Sequence, residues 1–129
     1  MYGDNPKENL YLSSSSTAEA EHDSVERITV YTKDNEKRSI QKGATVLDFA
    51  FLIHENVGLC AKHGLVNGER APLEAVLRDR DTIEIVTEGT REAPVVRACF
   101  SWFDMVKTPR ARRYLVRWFE SNYVPKQTF

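Results

Sequence analysis

The stretch that most constrains the fold is TVLDFAFLIHENVG at residues 45–58, because it is apolar on almost every side of a helix. Thr45 is a suitable N-cap, and Asp48 completes a capping box with Asp in the place of the usual Glu. Six apolar side chains then surround the helix axis: Val46, Leu47, Phe49, Ala50, Leu52 and Ile53. A helix with so little polar surface is expected to lie across a sheet. His54 ends the apolar run, and we expect Gly58 to end the helix in the left-handed conformation.

The segments on both sides of this helix have the period-two pattern of strands. ERITVYT, with Ile28 and Val30 on one face, and KRSIQ flank a polar turn, so residues 26–41 predict a hairpin. After the helix, LCAKHGLVNG predicts a strand that ends in an Asn–Gly turn, and ERAPLEAVL predicts a short edge segment with one helical turn. DTIEIVT, with Ile83 and Ile85 facing one way, predicts the last strand. This order of elements predicts an α+β fold, a β-grasp (ubiquitin-like) mixed sheet with one packed helix.

The two ends of the chain differ from this central domain at residues 26–88. Residues 1–25 contain a run of four serines and few apolar side chains, a composition typical of a flexible leader. Residues 97–123 contain two helical patterns, CFSWFDMVK and TPRARRYLVRWFESN. The second has Thr108 as N-cap and Pro109 at the first helical position, a strong start signal. We therefore expect a short C-terminal helical segment after the β-grasp domain.

This helical segment carries a basic stripe in a chain whose net charge is only −1. With no global basic field, nucleic-acid binding would need a local patch. Arg110, Arg113 and Arg117 fall within about 60° of one another on a helix. A charge stripe is by default a solvated helix face. The concentration of cations in this segment also favours contact with phosphates, so both interpretations remain open.

Motifs for metal binding and catalysis are weak. Cys60 and His63 form a C-x-x-H pair, but the remaining cysteine and histidines are irregularly spaced for the usual four ligands. His22 and Asp23 could begin a metal-dependent phosphohydrolase site, but the further ligands such a site needs are not in this sequence. A nucleophile–base arrangement, a glycine-rich phosphate loop and a carboxylate pair are also missing from the sequence. We expect no metal, no cofactor and no catalysis in this segment.

The setting of the chain follows from two further observations. Two cysteines do not make a disulfide framework, and they favour a reduced, cytoplasmic compartment. The chain contains no apolar run near the roughly 18 residues that span a bilayer, so we expect no membrane contact.

Three strings together resemble a known domain: VLDFAFLIHENVG, LVNGERAPLEAVLRDRDTIEIVT and SWFDMVKTPRARRYLVRWFES. They are similar to the TGS domain, and to the start of the helical region after it, in RelA/SpoT proteins. The resemblance covers about residues 26–122, and its most specific part is D-F-A-x-x-I-H-x-x-V-G with a downstream K-T-x-R-A-R. It implies a regulatory module of the bacterial stringent response. The parent is then expected to be a (p)ppGpp synthetase (GTP pyrophosphokinase), a hydrolase or both, with its catalytic residues upstream of this segment.

The same resemblance implies a role for His54 at the 3′ end of uncharged tRNA on the ribosome. An imidazole can stack on an unpaired base and hydrogen-bond to it. The alternative is a helix-terminal histidine whose positive charge interacts with the helix dipole. This chain departs from the family pattern at Leu59, Cys60 and Leu65, where polar or basic residues are common. These departures favour a protein partner instead, either acyl carrier protein or the parent's own catalytic domains.

Aromatic residues of the C-terminal helices raise a further expectation. Trp102, Trp118 and Phe119 occupy positions typical of helix packing rather than of base stacking. If these helices do not pack on the β-grasp domain, the three side chains are exposed. An exposed apolar patch promotes association, so we expect self-association through this segment.

Overall fold

A single mixed sheet forms the centre of the protein. The computed structural model describes residues 25–122. The five strands are β1 (Arg27–Thr32), β2 (Lys37–Gln41), β3 (Ala61–Val66), β4 (Glu69–Ala71) and β5 (Thr82–Thr87). Their order across the sheet is β2-β1-β5-β3-β4, with β1 and β5 parallel and the other neighbours antiparallel. The predicted α+β fold with a mixed β-grasp sheet is confirmed.

Four helical elements accompany the sheet in the part of the chain from 25 to 122. They are α1 (Val46–Ile53), α2 (Glu55–Leu59), a 3-10 helix (Phe100–Asp104) and α3 (Pro109–Asn122). The start of α3 is as predicted, since the Thr108 hydroxyl accepts a hydrogen bond from the Ala111 N–H at 3.3 Å. The helical turn predicted after β4 is wrong: Pro72 begins only a turn, in which its carbonyl accepts from the Ala75 N–H. No helix of the described residues is both long and apolar enough to cross a membrane.

The prediction of one helix that continues to Gly58 is wrong. His54 has an extended backbone, with φ −171° and ψ 148°, and this separates α1 from α2. Gly58 lies inside α2 and does not end it in the left-handed conformation. Glycine at this position lets the α2 backbone lie close to Phe51, because a Cβ here would overlap the Phe51 ring. Helix direction therefore changes at His54, at the end of the apolar run.

The Asn–Gly turn between β3 and β4 is confirmed. Asn67 and Gly68 have φ angles of +54° and +88°, as a two-residue hairpin turn with the right twist requires. Arg80, in the turn before β5, also has a positive φ of +75°, which is costly for a residue with a side chain.

The C-terminal helical segment packs on α1. Trp102 is only 4% exposed, and Ala111 and Leu115 of α3 are fully buried. The condition under which these aromatic side chains would be exposed is therefore not met, and Trp118 and Phe119 are half-buried. Self-association through this segment stays a prediction.

A buried carboxylate joins this segment to α1. Asp48 is 1% exposed and forms the predicted capping box with Thr45. It also accepts hydrogen bonds from the Lys107 N–H at 2.9 Å and from the N–H and hydroxyl of Thr108 at 3.0 and 2.9 Å. The same side chain thus caps α1 and holds the two residues that lead into α3.

Candidate functional site

His54 occupies the junction between α1 and α2 and serves both helices. Its N–H donates to the Ala50 carbonyl at 3.2 Å, which closes α1, and its carbonyl accepts from the Gly58 N–H at 3.0 Å. Its Nδ1 accepts from the Asn56 N–H at 2.9 Å, which caps α2. An Nδ1 that accepts this bond carries no proton, so the neutral ring has its proton on Nε2. The imidazole is therefore an N-cap of α2, and the interpretation as a cation on the dipole of α1 does not fit this geometry.

A cleft of about 600 Å3 lies beside this histidine. The α1–α2 junction forms one wall, and the end of β5 with the following loop forms the other. Its lining residues are His54, Asn56, Val57, Cys60, Thr87, Glu88, Gly89, Thr90, Arg91 and Pro94. The volume falls within the range of about 300–1,000 Å3 that is usual for small-ligand sites.

The loop wall of the cleft is held by its own hydrogen bonds. The Thr90 N–H donates to the Ala93 carbonyl at 3.1 Å, and the Thr90 hydroxyl accepts from the Ala93 N–H at 3.0 Å. Gly89 has a φ of +81°, and a Cβ there would lie 2.5 Å from the Ala93 carbonyl oxygen. This position therefore requires glycine, and the loop has a defined shape beside His54.

Some of the charged side chains along the cleft are paired with opposite charges and others are not. Glu88 lies 3.5 Å from both Lys62 and Arg97, so two cations balance this carboxylate. Arg91 is exposed and makes no ion pair with any residue between 25 and 122. The cleft thus offers an imidazole and a guanidinium to a ligand with an anionic group.

The three arginines of the predicted stripe have different environments. Arg110 and Arg113 are exposed and have no ion pair among the described residues. Arg117 lies 3.4 Å from Glu55, the first residue of α2, and its guanidinium is 5.3 Å from the Tyr114 ring centroid. The fold therefore brings Arg117 close to the His54 junction, and leaves the other two cations facing solvent about one to two helical turns away along α3.

The positions that depart from the family pattern face inward. Leu59 and Cys60 are 3% and 4% exposed, so neither presents a side chain on an outer surface. Burial raises the pKa of the Cys60 thiol. Leu65 on β3 is half-buried. These three positions therefore add no basic side chain to the protein surface.

His63 lies on β3, outside the cleft lining. Its Nδ1 is buried and has no hydrogen-bond partner among the described residues. Burial lowers the pKa of His63, and the nearby cations Arg70 and Lys62 lower it further. Within residues 25–122, no group of three or more potential ligands is arranged to hold a metal ion. The His22–Asp23 pair lies outside the described residues.

Sequence reasoning identified one wall of this site and missed the other. His54 ends the apolar run, and the family resemblance implied its role in binding. The loop at residues 88–95 has no pattern that indicates a binding wall, although Gly89 was a signal of special backbone geometry. The partnership of Arg117 with Glu55 joins residues 62 positions apart, which no local pattern reveals.

Comparison with known proteins identifies the family of this fold. Residues 28–87 match the TGS domain family. A probable guanosine-3′,5′-bis(diphosphate) 3′-pyrophosphohydrolase of Synechocystis is 34% identical over 95 residues, which is 74% of this chain and 12% of the relative. A GTP pyrophosphokinase of Streptomyces antibioticus is also 34% identical over 95 residues, covering 74% of this chain and 11% of its own length. The bifunctional (p)ppGpp synthase/hydrolase RelA of Mycobacterium tuberculosis is 30% identical over 95 residues, covering 74% of this chain and 12% of its own length.

The central unit of the chain is therefore a TGS domain. The region that carries it is homologous to the RelA/SpoT family of (p)ppGpp synthetases and hydrolases, as the sequence resemblance implied. The chain spans about an eighth of the length of these relatives.

Proposed function

We propose that this chain is the ligand-sensing module of a RelA/SpoT-like stringent-response protein and contacts the 3′ end of uncharged tRNA through His54. The observation that supports this most is the exposed imidazole beside the cleft, with its Nδ1 already used by Asn56. Only the ring faces and the Nε2 position then remain for a ligand. A ring face can stack on a terminal base, and an N–H can donate to a base or hydroxyl oxygen.

Cations near the cleft would hold the phosphates of the same strand. Arg91 lies in the loop wall, and Arg110 and Arg113 extend the positive surface along α3. Phosphate contacts position a nucleic acid without reading its sequence. In this proposal they supply affinity, while His54 distinguishes a free 3′ end from an esterified one.

The proposal extends to the parent protein. A parent that makes or degrades (p)ppGpp would carry its catalytic residues elsewhere, and this segment would regulate them without catalysis of its own. The proposed setting is the cytoplasm, with tRNA presented on the ribosome.

The test is binding of this chain to deacylated and aminoacylated tRNA at two salt concentrations. We expect tighter binding to deacylated tRNA, and we expect His54→Asn to remove this preference. Asparagine is an effective N-cap, so this variant keeps the hydrogen bond to Asn56 and removes only the ring. His63→Gln is the matched control, because it changes a histidine outside the cleft. Binding that ignores both the aminoacyl group and His54 would contradict the proposal.

A second candidate is a protein-interaction module that binds acyl carrier protein or the parent's own catalytic domains. Apolar exposure on the C-terminal segment favours it: Phe100 is 57% exposed and Val116 is 39% exposed. Leu59 and Cys60 are buried and add no basic side chain that could contact RNA. If the chain is such a protein-interaction module, acyl carrier protein or the catalytic domains should bind equally well to the wild type and to His54→Asn. Val116→Asp should weaken this binding.

A further inference from the structure

We infer that Glu55 and Arg117 are positioning residues that hold His54 in the orientation the cleft requires, and that α3 thereby controls the site. The inference rests on the proposed function of His54. Glu55 directly follows His54 and begins α2, and its Oε1 lies 3.4 Å from Nη2 of Arg117 on α3. The contact therefore joins α3 to the first residue after the junction.

This ion pair is one part of a closed set of contacts. The Arg117 guanidinium lies over the Tyr114 ring, and the Tyr114 ring stacks on Phe51 of α1 with centroids 5.9 Å apart. Phe51 in turn presses against Gly58 of α2, where no Cβ would fit. The three helices α1, α2 and α3 are thus linked around the junction, so a shift of α3 is transmitted to α2.

The junction converts such a shift into a change at the imidazole. His54 is the single extended residue between α1 and α2, and its side chain is held by the N–H of Asn56 in α2. A rotation of α2 therefore lengthens this hydrogen bond and re-aims Nε2. Because coupling between two sites is reciprocal, a ligand in the cleft also biases the position of α3.

A positioning role and a phosphate contact of Arg117 predict opposite effects of Glu55→Gln on nucleic-acid binding. If Arg117 binds phosphate, Glu55→Gln frees the guanidinium and removes a repelling carboxylate, so nucleic-acid binding becomes tighter. If the pair positions His54, Glu55→Gln weakens binding as Arg117→Gln does. A partly exposed ion pair is expected to change the affinity by about two- to fivefold.

The first experiment needs no ligand. The 15N chemical shifts of the His54 ring report which nitrogen carries the proton, and they are measured in the wild type, Glu55→Gln and Arg117→Gln. We expect both variants to lose the defined Nε2–H form and to shift the Asn56 amide. The charge-reversed double variant Glu55→Arg/Arg117→Glu should move the His54 shifts part of the way back to the wild-type values, because it restores the ion pair but not the guanidinium–Tyr114 contact. Arg113→Gln, on the same helix but without an ion pair in the described part of the chain, is the control and should leave His54 unchanged.

The second experiment measures deacylated tRNA binding by the same variants across a salt series. We expect Glu55→Gln and Arg117→Gln to weaken binding with no change in the salt slope. A slope reduced by about 0.7–0.9 in Arg117→Gln, with tighter binding by Glu55→Gln, would overturn the inference in favour of a phosphate contact. His54 shifts that are identical in all variants would overturn it as well. If the wild type shows no preference for deacylated tRNA, the proposed function fails, whereas the ligand-free spectra still decide the positioning role.

Discussion

Replacement of Asp48 tests how the C-terminal segment is attached to the TGS domain. Its carboxylate accepts hydrogen bonds from three backbone N–H groups, those of Thr45, Lys107 and Thr108, and from the Thr108 hydroxyl. The Thr45 hydroxyl lies 3.1 Å from both this carboxylate and the Met105 carbonyl, and its single hydrogen serves only one of them. Asp48→Ala therefore leaves at least four donors without their acceptor.

The size of the effect follows from burial. A buried donor that loses its partner costs about 1–3 kcal/mol. Water can reach the donors on the Lys107 side, because that residue is exposed, so the four costs do not simply add. We expect Asp48→Ala to lower the free energy of unfolding by about 3–5 kcal/mol, in the range for breaking a buried charged network. Asp48→Asn keeps one acceptor oxygen, and we expect it to cost about 2–3 kcal/mol.

Urea denaturation followed by tryptophan fluorescence measures this loss, since Trp102 is buried in the attached segment. Amide hydrogen exchange at Lys107 and Thr108 should accelerate in both variants, which locates the loss at the attachment. Asp104→Ala, at an exposed acid of the same segment, is the matched control and should change stability by less than about 0.5 kcal/mol. A decrease in the free energy of unfolding below about 1 kcal/mol in Asp48→Ala would refute the reasoning. Removing the shared acceptor of a buried hydrogen-bond network is expected to cost more than this.

Three further predictions concern single positions. Gly58→Ala should destabilise the protein by about 1–3 kcal/mol, because the added methyl group meets the Phe51 ring; an unchanged thermal midpoint would contradict this. Arg80→Gly should stabilise the protein by about 0.5–1 kcal/mol, because glycine adopts the φ of +75° without strain. Urea titration beside an Arg78→Gly control measures this, and a loss of stability would argue against strain at this turn. The lowered pKa of His63 means that the unfolded chain takes up a proton more readily than the folded one, so stability should fall as the pH drops through about 6.5. His63→Gln should reduce this loss between pH 8 and pH 5.5, and equal losses in both proteins would show that other groups cause it.

Local patterns were sufficient for most of the secondary structure. Strand alternation around Ile28 and Val30, the Asn67–Gly68 turn and the Thr108–Pro109 start each depend on residues within a few positions of one another. The structure places them as expected. Such features are decided by backbone conformation and by the nearest hydrogen bonds, which the sequence states directly. The helical turn expected after Pro72 is the exception, because the backbone there forms only one hydrogen-bonded turn, from the Ala75 N–H to the Pro72 carbonyl.

Only part of the candidate site could be predicted, because the rest depends on contacts that are not local in the sequence. The family resemblance implied a role for His54, but its cap on Asn56 depends on a helix break that the apolar run does not show. The cleft also needs the loop after β5, which approaches the junction only because β5 pairs with β3.

The sequence by itself determined the strands, the capped start of α1, the start of α3 and the presence of a TGS domain. Each of these rests on local periodicity or on a local motif. Only the tertiary structure decided that the apolar run breaks at His54, where an extended backbone separates α1 from α2 and the Phe51 ring packs on Gly58. It also decided that Asp48 binds the two residues before α3 as well as capping α1, and that Arg117 pairs with Glu55. These contacts join residues about 60 positions apart, and their geometry exists only once the chain has packed.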